Sequence, residues 1–387
     1  MGLRKRGGFV RLAALPLLFV ITPSLAQEVK LPGSVTMTAY DTGSSGFNIA
    51  IAVGKVLKDK YKSDVRVLPA GNDVARLGPL KAGRAQASAM GIGGYFAQEG
   101  IFEFASKEWG PQPVQMILAS TDCNNISIGI AKDSGATDIK DLKGKRVGAV
   151  VGSPALNTNM AALLAFGGVT MAEVKVAEFA SYGAMWKGVL NNEIDVAVAS
   201  NISGQAKEAD SSPRGLFYPV MPHSDEAGWG RVAKIGPYFA KHTSTCGISA
   251  SKEKPLETSA YPYPIFLVYA SVADETVYGL AKAMVDGYAD YKDAVPGASG
   301  LDVKTQNFQW VLPVHPAAAK AFKAAGAWKD ADEAHNQKLL TRQKVLTESW
   351  ADFLKTSLPE DKDAFRKAWM AARKAALLKA GLEPIFE

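Results

Sequence analysis

The chain is poorly supplied with residues that bind metals or act as nucleophiles: it has four histidines and two cysteines among 387 residues. His223, His242, His315 and His335 fall in no His-Glu-x-x-His or paired-ligand spacing, so no metal site is expected. Gly43-Ser44-Ser45-Gly46 misses the Gly-x-Ser-x-Gly spacing of a serine nucleophile, and no carboxylate pair stands out by spacing from a solvated face. None of the glycine-rich turns ends in the Lys-Ser/Thr of a phosphate loop or has dinucleotide spacing, so no nucleotide and no other cofactor is expected. The chain therefore reads as a non-enzyme. An excess of one charge is also missing, with 44 Lys and Arg against 38 Asp and Glu. No basic stripe with interleaved aromatics is present, which argues against nucleic acid as a partner. Long hydrophobic runs are absent as well: the apolar stretch from Leu12 to Ile21 is about half of the roughly 20 residues a spanning helix needs, and no later segment is long and apolar enough to span a bilayer.

The amino-terminal stretch has a different use. Arg4, Lys5, Arg6 and Arg11 precede the apolar run, and small residues at Ser24 and Ala26 suit cleavage before Gln27. Residues 1–26 read as a secretory signal, and no cysteine follows for a lipid anchor. The mature chain is expected in the periplasm. With the four basic residues of the leader removed, the formal charge of +6 drops to about +2. In an oxidising compartment Cys123 and Cys246 can form a disulfide, but their wide separation leaves open whether they meet or stay as two buried thiols.

From Val35 onward the pattern is strand, glycine-rich turn, helix. Val35–Tyr40, Val65–Leu68 and Ala85–Ile92 read as strands, with helices over Phe47–Lys60 and Val74–Gly83. A second block repeats the rhythm with strands Ile126–Ala131, Val147–Val151, Val174–Phe179 and Ile194–Ala199 and helices Pro154–Phe166 and Tyr182–Leu190. This alternation predicts α/β architecture with parallel sheets and helices on both faces. The mature length exceeds a single core and suits two lobes. Pro213–Tyr238 reads as irregular. A segment at Thr245–Ser251, an apolar run Ile265–Val272 and a helix Asp274–Ala294 then suggest a return to the first lobe. Lobe 1 is assigned to residues 27–125 and 246–328, lobe 2 to 126–245, and a helical extension packed on the body to 329–387. The stripe Leu339, Leu340, Leu346, Trp350, Phe353 and Leu354 is expected to make that contact, and the assembly to be a monomer.

Ligands of open α/β sheets lie beyond the carboxyl ends of strands, where helix N-termini present free N–H groups. The turns there are Thr42-Gly43-Ser44-Ser45-Gly46 with Asn48, Gly71-Asn72-Asp73, Gly91-Ile92, Gly152-Ser153-Pro154 and Ser181-Tyr182. Thr42, Gly43, Ser44, Ser45, Asn48, Gly71, Asn72, Asp73, Gly91, Ile92, Ser153, Ser181 and Tyr182 are the candidate ligand-binding residues. Asp73 has helix capping as its alternative role, and Arg76 either reaches a ligand carboxylate or lies in a surface ion pair.

Several of these pieces also carry a family likeness. Thr42-Gly43-Ser44-Ser45-Gly46, Ala70-Gly71-Asn72-Asp73-Val74-Ala75-Arg76-Leu77, Asp141-Leu142-Lys143-Gly144-Lys145-Arg146-Val147, and Val314-His315-Pro316 with Gly326-Ala327-Trp328 are the matching segments. Over Val35 to Trp328 the chain resembles the TAXI family, the solute-binding proteins of tripartite ATP-independent periplasmic (TRAP) transporters. The resemblance implies a two-lobed type II periplasmic-binding-protein fold, a small carboxylated solute (organic acid or amino acid) held as the lobes close on a hinge, and delivery to TRAP-type membrane permease subunits. Ser44-Ser45, Phe47-Asn48 and Gly152-Ser153-Pro154 depart from the family's usual turns, which bears on the identity of the solute. A ligand sensor for a signalling partner and an ABC-type binding protein of similar fold are the alternatives.

Overall fold

The computed structural model describes residues 1–3 and 29–387, so from residue 4 on the secretory leader read from the sequence lies outside the described residues. The first half of the chain lays down β1 (Ser34–Ala39), α1 (Ser45–Tyr61), β2 (Asp64–Pro69), α2 (Asp73–Lys81), β3 (Ala87–Met90), α3 (Gly93–Glu99) and β4 (Val114–Ala119). It then crosses to β5 (Ile126–Ala131), β6 (Arg146–Val150), α4 (Pro154–Phe166), β7 (Lys175–Phe179), α5 (Tyr182–Leu190), β8 (Val196–Ser200), α6 (Gly204–Ser211), β9 (Leu216–Phe217) and α7 (Glu226–Ile235). An antiparallel pair, β10 (Ala240–Ser244) and β11 (Leu256–Ala260), leads back to β12 (Ile265–Tyr269). The chain closes with α8 (Asp274–Asp286), α9 (Tyr288–Tyr291), α10 (Pro316–Ala324), α11 (Asp330–Phe353) and α12 (Lys362–Lys379).

Among the described residues two five-stranded sheets result, ordered β2-β1-β3-β12-β4 and β7-β6-β8-β5-β9, each flanked by helices and each with its own hydrophobic core. The returning strand β12 is inserted between β3 and β4, so the first sheet is completed only after the second has been built. This order corrects the expectation of purely parallel sheets. β12 runs antiparallel to both neighbours, and β5 runs antiparallel to β8 and β9. Their sequences cannot reveal this, because a strand buried on both faces reads as a continuous apolar run in either direction. Ile265, Phe266, Leu267 and Val268 are wholly buried. Each such side chain contributes about 1.5–3 kcal/mol by leaving water.

Other expectations are corrected by local chemistry. The region read as irregular, Pro213–Tyr238, contains α7, which starts where Asp225 accepts from the Gly228 N–H at 2.8 Å. Gly91-Ile92 is a turn, but Gly93 and Gly94 already belong to α3, where a side chain on Gly94 would strike Leu267. The helix expected to run to Ala294 stops at Gly287, which packs against Val56. Thr245–Ser251 is the loop between β10 and β11 and contains Cys246, whose sulfur is bonded to that of Cys123.

The extension grips the first lobe chiefly through polar groups. On α11, Leu346 and Phe353 are buried, but so are Asn336, Arg342 and Gln343, while Leu354 is exposed. Arg342 makes a two-pronged pair with Glu99 at 2.7 Å for each bond, Arg373 of α12 pairs with the same carboxylate, and the Trp369 indole donates to the Gly100 carbonyl. Asn336 clamps both backbone groups of Val314, and His315 caps α10 through Nδ1, which gives that histidine a structural task.

Candidate functional site

The two sheets meet along the ends of β1, β3, β6 and β8, and the junction holds a cavity of about 20 Å³, close to the space of one water. The first lobe contributes Tyr40 and Ser45; the crossover before β12 contributes Tyr261 and Tyr263. From the second lobe come Leu156 and Asn159 of α4, Tyr182 at the start of α5, and the β8 residues Val198 to Ser200. Edge-to-face contacts join Tyr40 to Tyr182 and Tyr263, with ring centroids 5.9 and 5.7 Å apart. Asn159 is buried mid-helix; its amide donates to the Tyr261 hydroxyl at 3.1 Å and its carbonyl accepts from Tyr238 at 2.8 Å. The Tyr182 hydroxyl reaches Ser203 at 3.2 Å.

Burial raises the phenol of Tyr40 well above its ordinary range, opposed by the Arg76 guanidinium, which lies 3.3 Å from the ring centroid. Burial likewise pushes Tyr263 up to about 12 and raises Tyr182 and Tyr261. All four stay protonated at neutral pH and present O–H groups that donate as well as accept. The wall is thus aromatic with neutral hydrogen-bonding groups. Such a wall can hold a small organic molecule by stacking and by donation to its oxygens.

Next to this cavity lies a buried charge pair. Asp73 and Arg76, both fully buried, are ion-paired one turn apart on α2, and Arg76 also donates to the Ala70 carbonyl at 2.9 Å. The ion pair that Arg76 makes is thus buried and not at the surface. Across the junction the Asp73 carboxylate accepts from the Ala155 N–H at 2.8 Å and from the Ser153 hydroxyl at 3.3 Å. Its carboxyl is raised by burial, against the pull of Arg76 and these hydrogen bonds.

The candidate residues fall into separate groups. Ser45 and Tyr182 line the cavity; Gly91 and Ile92 lie beneath it, against the hydroxyls of Tyr40 and Tyr261. Asp73 and Ser153 meet each other. Thr42, Gly71 and Ser181 line a second, open groove of about 560 Å³ between the lobe rims. The Thr42 and Gly71 carbonyls accept from Gln205 and from the Tyr182 N–H across the junction. Ser44, Asn72 and Ser181 cap their own helices, and Asn48 donates to the Gly43 carbonyl. Sequence reasoning missed Tyr40, Asn159, Ser200, Tyr261 and Tyr263. A signal was available in Tyr261-Pro262-Tyr263-Pro264, a paired aromatic motif directly before a buried strand. Among the described residues no group of three or more His, Cys, Asp or Glu is placed to hold a metal ion, and no helix is long and apolar enough to cross a membrane.

Fold and site define a two-lobed α/β protein with a small polar, aromatic-walled chamber between its lobes. Residues 37–326, about three quarters of the chain, match the model of the NMT1-like family, and the chain belongs to that family. No curated protein matches the sequence. Solved structures with some similarity include an ancestral arginine-binding protein bound to arginine (16% identical, TM-score 0.41, covering 67% of this chain and 94% of that one). Another is the alkanesulfonate-binding protein SsuA from Xanthomonas axonopodis pv. citri bound to MOPS (15% identical, TM-score 0.42, 80% and 95% covered). A third is an amino acid ABC transporter substrate-binding protein from Streptococcus pneumoniae Canada MDR_19A bound to L-arginine (12% identical, TM-score 0.43, 70% and 95% covered).

Proposed function

We propose that this chain is a periplasmic solute-binding receptor that captures a small carboxylated solute between its lobes and delivers it to a TRAP-type membrane permease. The observation that carries the reading is the tyrosine-walled chamber, because its wall is drawn from both lobes and is complete only when they are together. In this reading lobe 1 is residues 27–125 and 246–328, lobe 2 is 126–245, and residues 329–387 ride on lobe 1.

The mechanism follows from that shared wall. A solute that touches Tyr40 and Ser45 on one side and Asn159, Tyr182 and Ser200 on the other binds the closed arrangement better than the open one, and so shifts the population towards closure. The chamber here has room for about one water, so the lobes part to admit the solute, and the solute-bound form closes less tightly than this one. Carboxylate oxygens are received by hydroxyl and amide donors there, with the Arg76 charge behind the Tyr40 ring. Assignment to a TRAP-type partner is supported by the turn and His315-Pro316 motifs shared with TAXI proteins. Among the residues lining the chamber there is no histidine, lysine or carboxylate to activate a hydroxyl, which supports capture without turnover.

A thermal-shift panel of organic acids and amino acids tests the reading. At least one carboxylate is expected to raise the melting temperature by several degrees, as binding to the folded state alone requires. A flat response to every carboxylate with a clear response to a sugar or an organic cation contradicts it, as does turnover of a small ester, amide or phosphate by the pure protein.

A further inference from the structure

Three helices of the second lobe begin at the lobe junction, and each meets an acceptor from the first lobe. The Asp73 carboxylate takes the Ala155 N–H in the first turn of α4 at 2.8 Å, and the Asp41 carboxylate takes the Gly183 N–H in the first turn of α5 at 2.7 Å. The Gly43 carbonyl takes the Gly204 N–H that opens α6 at 3.0 Å. A helix N-terminus favours negative charge, and more strongly where water is excluded. α4 and α5 are also the helices whose starts the sequence offers to a solute's carboxylate. In the closed arrangement those places belong to the chain's own aspartates.

The backbone around them is shaped for this contact. Gly71 lets the first-lobe turn approach Ser181 so closely that a Cβ there would lie 2.3 Å from the serine Cβ, and a Cβ on Gly204 would lie 2.8 Å from the Gly43 carbonyl oxygen. The Gly71 carbonyl accepts from the Tyr182 N–H, and the Val74 N–H donates to the Gly152 carbonyl, so the contact is a seam of complementary groups. Asp73 is fully buried in this seam, with Arg76 as its counter-charge, while Asp41 sits half-buried at the mouth of the open groove.

We propose that Asp41 and Asp73 are an internal latch: the receptor's own anions dock on the starts of α5 and α4 and hold the lobes closed before any solute arrives. Because the closed chamber has room for about one water, a solute enters by parting the latched lobes. This consequence rests on the solute-binding reading; the latch does not.

The latch is tested without solute. Protein unfolded, dialysed and refolded to strip bound small molecules is examined by small-angle X-ray scattering as wild type, Asp41→Ala, Asp73→Asn and the control Asp59→Asn, whose side chain is exposed on α1. Wild type and the control are expected to fit the closed arrangement, and both latch variants to show a larger radius of gyration. Asp73→Asn leaves Arg76 without a counter-charge and can fail to fold; among the described residues Asp41 has no such partner, so Asp41→Ala with a native circular dichroism spectrum carries the test alone. A wild type as open as Asp41→Ala, or an Asp41→Ala as closed as wild type, overturns the latch. Either outcome leaves the thermal-shift test of solute binding unaffected.

Discussion

Removal of the Cys123–Cys246 disulfide has a consequence that can be worked from the structure. The bond ties the crossover leaving the first lobe to the loop after β10, with Cα atoms 5.4 Å apart and a sequence separation of 123. In the chain-entropy treatment, a closed loop of that size removes about 16 cal/mol/K from the unfolded ensemble, or about 5 kcal/mol at 25 °C. The folded contacts there do not depend on the sulfurs: the Thr245 N–H and the Ser244 hydroxyl donate to the Cys123 carbonyl at 2.9 and 2.8 Å. A folded body of about 360 residues has an unfolding entropy of about 0.75 kcal/mol/K, so the loss translates into a melting point about 6–7 °C lower. Scanning calorimetry of the oxidised protein and of the Cys123→Ser/Cys246→Ser double variant measures this difference. Equal melting points refute the entropic reasoning, and a fall several times larger shows that the bond supports the native state directly.

Other consequences are equally specific. Glu99→Ala leaves Arg342 and Arg373 buried without their shared carboxylate and is expected to cost about 3–5 kcal/mol in a denaturant titration, with α11 and α12 the first elements to lose hydrogen-exchange protection. Gly71→Ala places its Cβ against Ser181, where no rotation relieves the clash, so the variant is expected to fold normally but to scatter as an opened molecule and to lose solute affinity. Burial lowers the imidazole pKa values of His242 and His315, so the unfolded chain takes up their protons at a higher pH than the folded one. Stability is therefore expected to fall as pH drops from about 6.5 through the window down to the folded values, and His242→Gln to shrink that fall in melting curves taken from pH 7 to 5.

Much of the fold is legible in the sequence because its elements are bounded by strong local signals. α4 starts at Pro154, where a missing N–H does no harm, and α2 and α5 start at Asn72 and Ser181, which cap them as their residue types favour. Strand direction is not legible, since Ile265–Tyr269 is equally apolar whichever way it runs. At the site, the turns could be located but their partners could not. Ser44, Asn72 and Ser181 look like ligand donors and serve as caps, while Asp73 looks like a cap and reaches across to another helix. The chamber itself was hidden because Tyr40, Asn159, Tyr182 and Tyr261 are distant in sequence and of types that a hydrophobic core also uses. The polar grip of α11 was masked in the same way: Asn336, Arg342 and Gln343 resemble a solvated face until their partners are known.

The central claim, that the chamber between the lobes is where the solute is held, is tested most directly by isothermal titration of the best carboxylate from the thermal-shift panel into wild type and Asn159→Ala. Asn159 lines that wall, donates to Tyr261 within it and accepts from Tyr238 behind it, and loss of such a buried hydrogen-bonding group is worth about 1–3 kcal/mol. Binding weakened by roughly fivefold or more in a variant that still folds is the predicted result. An unchanged dissociation constant would place the solute elsewhere and contradict the account.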